Sequence, residues 1–202
     1  MVIIIALGVS WLWGQGEQTA VPAEGSLVSA VTGTTDKLTD ADTAGDPEIS
    51  PTPGREGPSQ TQWEALLPRL QEIVRNSPED ETALRKLALA YYNLGSLPEA
   101  ADIYRRLLAK EEDPVLRDRL GNTLRDMGDL DGAEETYRKA IADDPSLAPP
   151  YLNLAELLWR QGRDSEAQSV LEEGIEVVPV EAKDILIKGR EVLSGQKGAS
   201  TT

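Results

Sequence analysis

LRKLALAYYNLGSLPEAADIYRRLL, residues 84–108, decides the fold. Leu84, Leu87, Ala88 and Tyr91 fall at i, i+3, i+4 and i+7, which lines one face of a helix with apolar groups. Gly95 stops that helix, and Ser96-Leu97-Pro98-Glu99 reads as a capping box opening a second, with proline tolerated in the first turn. The same signals return downstream. Gly95, Gly128 and Gly162 are 33 and 34 residues apart, and Ala100, Ala133, Ala167 and Tyr104, Tyr137, Leu171 keep step with them. The first helix of each later unit shows the same stripe, as Leu120, Gly121, Leu124 and then Tyr151, Leu154, Ala155, Leu158. Asp80 and Asp129 are placed to cap helix starts, and Pro145 and Pro179 close the second and third units. Ala88, Gly121 and Ala155 face Ala100, Ala133 and Ala167, so the two helices of a hairpin approach closely. Tyr91, Tyr104 and Tyr137 then fill the space between successive hairpins.

Period, small-residue sites and closing prolines resemble the tetratricopeptide repeat (TPR) family from Glu81 to Glu181, as units 81–113, 114–147 and 148–181. The resemblance implies an all-α fold: a right-handed superhelical TPR solenoid of antiparallel helix hairpins. Three departures stand out. Arg117 occupies the position held by Leu84 and Tyr151, which suggests a shifted or looser helix. Pro114 lies two residues late, and Gly174 replaces the usual alanine at a cost of about 1 kcal/mol inside a helix. Flanking segments complete the domain at 61–193. Trp63, Leu66, Leu67, Leu70, Ile73 and Val74 mark a lone B-like helix over 61–76, and Ile185, Leu186, Val192 and Leu193 mark a closing helix over 182–193. Solenoid ends need such caps. Residues 194–202 read as a flexible tail.

In this family the first (A) helices line a groove that receives a peptide. The resemblance places Arg85, Leu89, Tyr92 and Asn93 on that wall, with Asp118, Asn122 and Arg125, then Leu152, Glu156, Trp159 and Arg160. Thr82, Val115, Asp126 and Pro149 hold the other groove positions. Tyr92 and Trp159 suit an anchoring role. The opposing reading packs both into the core, and pairs the three arginines with Asp118, Asp126 and Glu156 across neighbouring helices. A subclass of the family grips C-terminal carboxylates through Lys/Arg and Asn. Only Arg85 and Asn153 fill its positions, Leu89, Arg119 and Pro149 holding the rest, so that clamp is not expected.

Composition narrows the chemistry. The 202 residues contain no histidine and no cysteine, so imidazole bases, thiol nucleophiles and zinc-thiolate sites are excluded. A net charge of −15 argues against nucleic acid as a partner. Asp129-Leu130-Asp131-Gly132 has the look of a calcium loop, but Met127 and Arg138 stand where ligands are needed, so no metal and no cofactor is expected. No phosphate-binding or nucleophile motif appears, and the chain is not expected to be an enzyme.

The N-terminal third differs. MVIIIALGVSWLWG, residues 1–14, carries no charge, yet 14 helical residues reach only about 21 Å against a hydrocarbon core of roughly 30 Å. It reads as the end of a membrane anchor whose start lies upstream of Met1, or as a signal h-region without its basic flank. Residues 15–60 hold 8 acids against Lys37 and Arg55, with no aromatic, and read as a disordered acidic linker about 40 Å from end to end. The expectation is a non-catalytic scaffold, membrane-anchored with its domain outside the bacterial cytoplasm, or exported, that binds a protein or peptide. Alternatives are an envelope assembly factor, since the layout resembles membrane-anchored TPR subunits of bacterial cytochrome c maturation, and a self-associating structural module.

Overall fold

The computed structural model describes residues 58–199. The expected membrane segment at 1–14, the linker up to residue 57 and the last three residues lie outside the described residues. Eight helices and no strand occur among the described residues: α1 (Gln60–Asn76), α2 (Glu81–Asn93), α3 (Leu97–Leu108), α4 (Pro114–Asp126), α5 (Leu130–Asp143), α6 (Ala148–Arg160), α7 (Asp164–Val177) and α8 (Val180–Ala199). Three hairpins, α2–α3, α4–α5 and α6–α7, stack in series; α1 packs on α2, and α8 on α6 and α7. The molecule is a TPR solenoid.

The three glycines end the A helices in the left-handed region, at φ +77°, +86° and +75° for Gly95, Gly128 and Gly162. Each builds the same double bond. The glycine N–H donates to Tyr92 O, Arg125 O or Trp159 O, and the next N–H donates to Tyr91 O, Leu124 O or Leu158 O, at 2.8–3.0 Å. That pattern satisfies the last carbonyls of the helix and needs a residue tolerant of positive φ. It also overturns the expected capping box at Ser96. The Ser96 N–H is committed to Tyr91 O, so Glu99 has no donor to answer, and the Ser96 hydroxyl makes no cap bond. The box forms instead at Ser59, whose N–H donates to Gln62 Oε1 at 2.7 Å while its hydroxyl accepts from Gln62 N at 3.3 Å. Asp80 and Asp129 do cap, accepting from Ala83 N and Gly132 N at 3.0 Å each.

Small residues set the hairpin spacing. Ala88, Ala155, Ala100, Ala133 and Ala167 are fully buried, as is the site of Gly121. At Gly121 a Cβ would stand 2.5 Å from Tyr137 Cε1. Tyr137 therefore lies inside its own hairpin, against α4, where its hydroxyl donates to Asn122 Oδ1 at 2.7 Å; it was expected between hairpins.

Gly174 is a requirement of packing, and its reading as a flaw is corrected. A Cβ there would come within 2.7 Å of Leu186 Cδ1 and 2.8 Å of Tyr151 Cγ. Glycine lets the Tyr151 ring and α8 close over α7.

Nor does Arg117 loosen α4. Asp113 caps that helix twice, Pro114 takes its first turn, and Leu116, one position earlier, is buried in place of an aromatic. Arg117 extends to Asp143. On α1, Trp63 and Leu70 are buried while Ile73 turns to solvent, leaving a largely polar outer face. The closing helix runs to Ala199, past the expected end at Leu193. The Ser194 hydroxyl donates back to Arg190 O at 2.8 Å, and no proline interrupts the turn that follows.

Candidate functional site: the wall of the A helices

Helices α2, α4 and α6 carry every wall residue expected from the sequence, but six of them are buried: Leu89, Tyr92, Asp118, Asn122, Leu152 and Glu156. Leu89 packs in a cluster with Trp63 and Leu70 of α1, and Leu152 lies under Gly189 of α8. The two end helices thus cover the apolar part of the wall. Arg85, Asn93, Arg125 and Trp159 are half-buried, and Arg160 is exposed.

The polar residues hold the stack in register. Tyr92 donates from its hydroxyl to Asp126 Oδ2 at 2.7 Å, joining the first unit to the second. Asn153 Nδ2 donates to Asp118 Oδ1 at 2.9 Å, joining the third to the second. Arg163 extends to Glu134 and Glu166, both at 2.7 Å, which ties α5 to the start of α7. Tyr92–Asp126, Asn153–Asp118 and Arg163–Glu134 lie close to one repeat apart in sequence, so each of these bonds fixes one unit against the next, while Glu166 holds the Arg163 guanidinium in place from within α7.

The expected arginine pairing changes in detail. Arg160 pairs with Glu156 and Arg125 with Asp126, each within its own helix, while Arg85 reaches Asp113 at 2.7 Å. Glu111-Glu112-Asp113 reads from the sequence as a solvated inter-repeat turn, but Asp113 is drawn in as the cap of α4, an acid immediately before Pro114 being a helix-start signal. Its Oδ1 accepts from Val115 N at 2.8 Å and Leu116 N at 3.1 Å. Burial opposes ionisation, but Arg85 and these two N–H groups outweigh it and hold the carboxyl below its ordinary range. A depressed pKa contributes stability that is complete above the unfolded value, near 4, and disappears as pH falls through the folded value. Asp113→Ala is expected to cost about 1–2 kcal/mol at pH 7, from the lost cap and ion pair together. In urea titrations that deficit should shrink as pH falls below about 4.

Among the described residues no group of three His, Cys, Asp or Glu side chains is placed to hold a metal ion, and no helix is long and apolar enough to cross a membrane.

Serial hairpins in neighbour-only contact, closed by end helices, define an α-solenoid built for binding. Sequence models described as TPR repeat or tetratricopeptide repeat match residues 60–115, 121–162 and 148–179, and the chain belongs to the tetratricopeptide repeat family. Its fold is similar to that in the crystal structure of MamA, at 15% identity and a TM-score of 0.54, covering 70% of this chain and 92% of that one. A MamA RS-1 ArsTM double mutant is similar at 16% identity and a TM-score of 0.52, covering 69% and 89%. The sequence has no significant match among curated proteins. The chain is a protein-interaction scaffold.

Proposed function

We propose that the scaffold holds a partner polypeptide along the A-helix wall, presented from a membrane surface by residues 1–14 through the linker that follows. The reading rests on Trp159, a large aromatic half-buried at the end of α6 beside the exposed Arg160. An aromatic with one face packed and one face available is a typical binding anchor. The task is holding without chemistry. Asp118 is engaged by Asn153 and Glu156 by Arg160, and neither histidine nor cysteine is present to act as base or nucleophile.

Photo-crosslinking in cells tests this. A photoreactive residue at Arg160 or Asn93 should trap a polypeptide, whereas one at Asp102, exposed on α3, should not. Trp159→Ala should weaken capture at least tenfold, the effect of losing one anchor of about 2 kcal/mol. Equal trapping at Asp102, or none on the wall, rejects the reading. Carbonate extraction tests the tether separately: the chain should stay with the membrane pellet and leave it once residues 1–14 are removed.

A further inference from the structure

The face of α2 beneath α1 is built to receive a helix. Trp63, Leu66, Leu67, Leu70 and Val74 of α1 fall at i, i+3, i+4, i+7 and i+11, so one stripe of that helix is apolar. Trp63 and Leu70 are buried with Leu87, Leu89 and Ala90 of α2, in a cluster separate from the continuous core of the three hairpins and α8. The two meet through the half-buried Val74, Tyr91 and Ile103. Leu89 is a wall position, so α1 already covers part of the A-helix wall with a helix of this chain.

The packing of α1 leaves it separable from what it covers. Pro68 stands inside α1 and has no N–H to donate to the preceding turn, which weakens the helix. Of its residues only Trp63 and Leu70 are buried, and Gln71 Nε2 adds a hydrogen bond to the Tyr91 hydroxyl at 3.1 Å. The turn that follows is fastened to the first hairpin. Arg106 donates to Pro78 O at 2.5 Å and to Glu79 Oε1 at 2.6 Å, Lys110 holds the other Glu79 oxygen, and Asp80 caps α2. Ser77, at φ −136° and ψ 76°, is therefore the pivot, and α2 and α3 keep their own contacts when α1 swings away.

We propose that this face of α2 is a helix-binding site, occupied by α1 within the chain and open, when α1 leaves, to an amphipathic helix of another protein with Trp and Leu at the spacing of α1. Binding is competitive. A tethered α1 acts at high effective concentration, so a free helix binds in proportion to the fraction of molecules in which α1 is away. The site does not involve Trp159, which belongs to the third unit.

The test uses the full chain, methyl-labelled, and a synthetic peptide of residues 59–76, with a scrambled peptide of the same composition as control. Hydrogen exchange in the unmodified chain needs no variant. Amides of α1 should exchange at least tenfold faster than those of α2 and α3, through an opening that leaves both protected. Leu70→Ala weakens α1 in place, so that variant should bind the peptide at least tenfold more tightly than the parent does. The largest shifts should fall on Leu87, Leu89 and Ile103. Gln71→Ala, a milder change, should act in the same direction by a few-fold, and Trp159→Ala should leave peptide binding unchanged, which separates this site from the Trp159 anchor. Equal exchange of α1 and α2, equal peptide binding by parent and both α1 variants, or binding of the scrambled peptide overturns the proposal. So does unfolding of α2 and α3 together with α1 in Leu70→Ala, since a separable α1 leaves them intact. Leu87 and Leu89 shifts that follow protein concentration without peptide overturn it as well, by assigning the site to α1 of a second copy.

Discussion

Tyr137→Ala is expected to cost about 3–5 kcal/mol, enough to unfold the middle of the stack at ordinary temperature. The side chain is fully buried, its ring rests on Gly121 and its hydroxyl donates to Asn122 Oδ1. Removing it opens a cavity of ring size between α4 and α5, and Gly121, having no side chain, cannot fill it. The loss would also leave Asn122 buried without its donor, a further penalty of about 1–3 kcal/mol. Tyr137→Phe isolates that second component, since only the hydroxyl goes. Urea denaturation followed by circular dichroism measures both. Because repeat units touch only their neighbours, a broken second unit uncouples the first from the third. The alanine variant should therefore unfold over a broader range or in two steps, whereas the phenylalanine variant should shift the midpoint and keep one transition. A cost below about 1 kcal/mol for the alanine change would mean that the α4–α5 contact is not the one described.

The hairpins were legible in the sequence because three independent signals coincide at each unit. A positive-φ glycine, a small residue on each facing helix and an apolar stripe at helical spacing all repeat with Gly95, Gly128 and Gly162. What sequence could not supply was the use made of side chains that serve two roles. Ser96 has the composition of a cap, but its N–H is claimed by the preceding helix. Tyr92 has the composition of an anchor, yet a hydroxyl 2.7 Å from Asp126 Oδ2 makes it an inter-unit strut. Leu89 and Leu152 occupy wall positions, and α1 and α8 cover them, which a pattern derived from single units does not convey. The end helices sit so close to a three-unit stack that little of its apolar wall stays open, and only the partly exposed Arg85, Asn93, Arg125, Trp159 and Arg160 remain as candidate contacts.

Gly174→Ala puts the two levels in direct opposition. Helix propensity alone predicts a gain of about 1 kcal/mol for alanine in the middle of α7. Packing predicts the reverse. The new Cβ would meet Leu186 Cδ1 at 2.7 Å, a methyl that can swing aside, and Tyr151 Cγ at 2.8 Å, the root of a ring that cannot. Tyr151 is fixed at its far end as well, where its hydroxyl donates to Pro145 O at 3.2 Å. Overpacking of this kind costs about 1–3 kcal/mol, so the net change should be destabilising by about 1–2 kcal/mol. The repeat also supplies the rescue. In phase with Tyr151 and Gly174, the first unit carries Leu84 and Leu107, trading ring volume at one site for side-chain volume at the other. Tyr151→Leu should accordingly destabilise the parent, where it leaves a gap, and be far less harmful in the Gly174→Ala background. The double-mutant cycle should show favourable coupling of about 1 kcal/mol or more. Additive effects, or a stabilising Gly174→Ala, would show that α8 does not press Tyr151 against α7 and that glycine at this position is only a propensity defect.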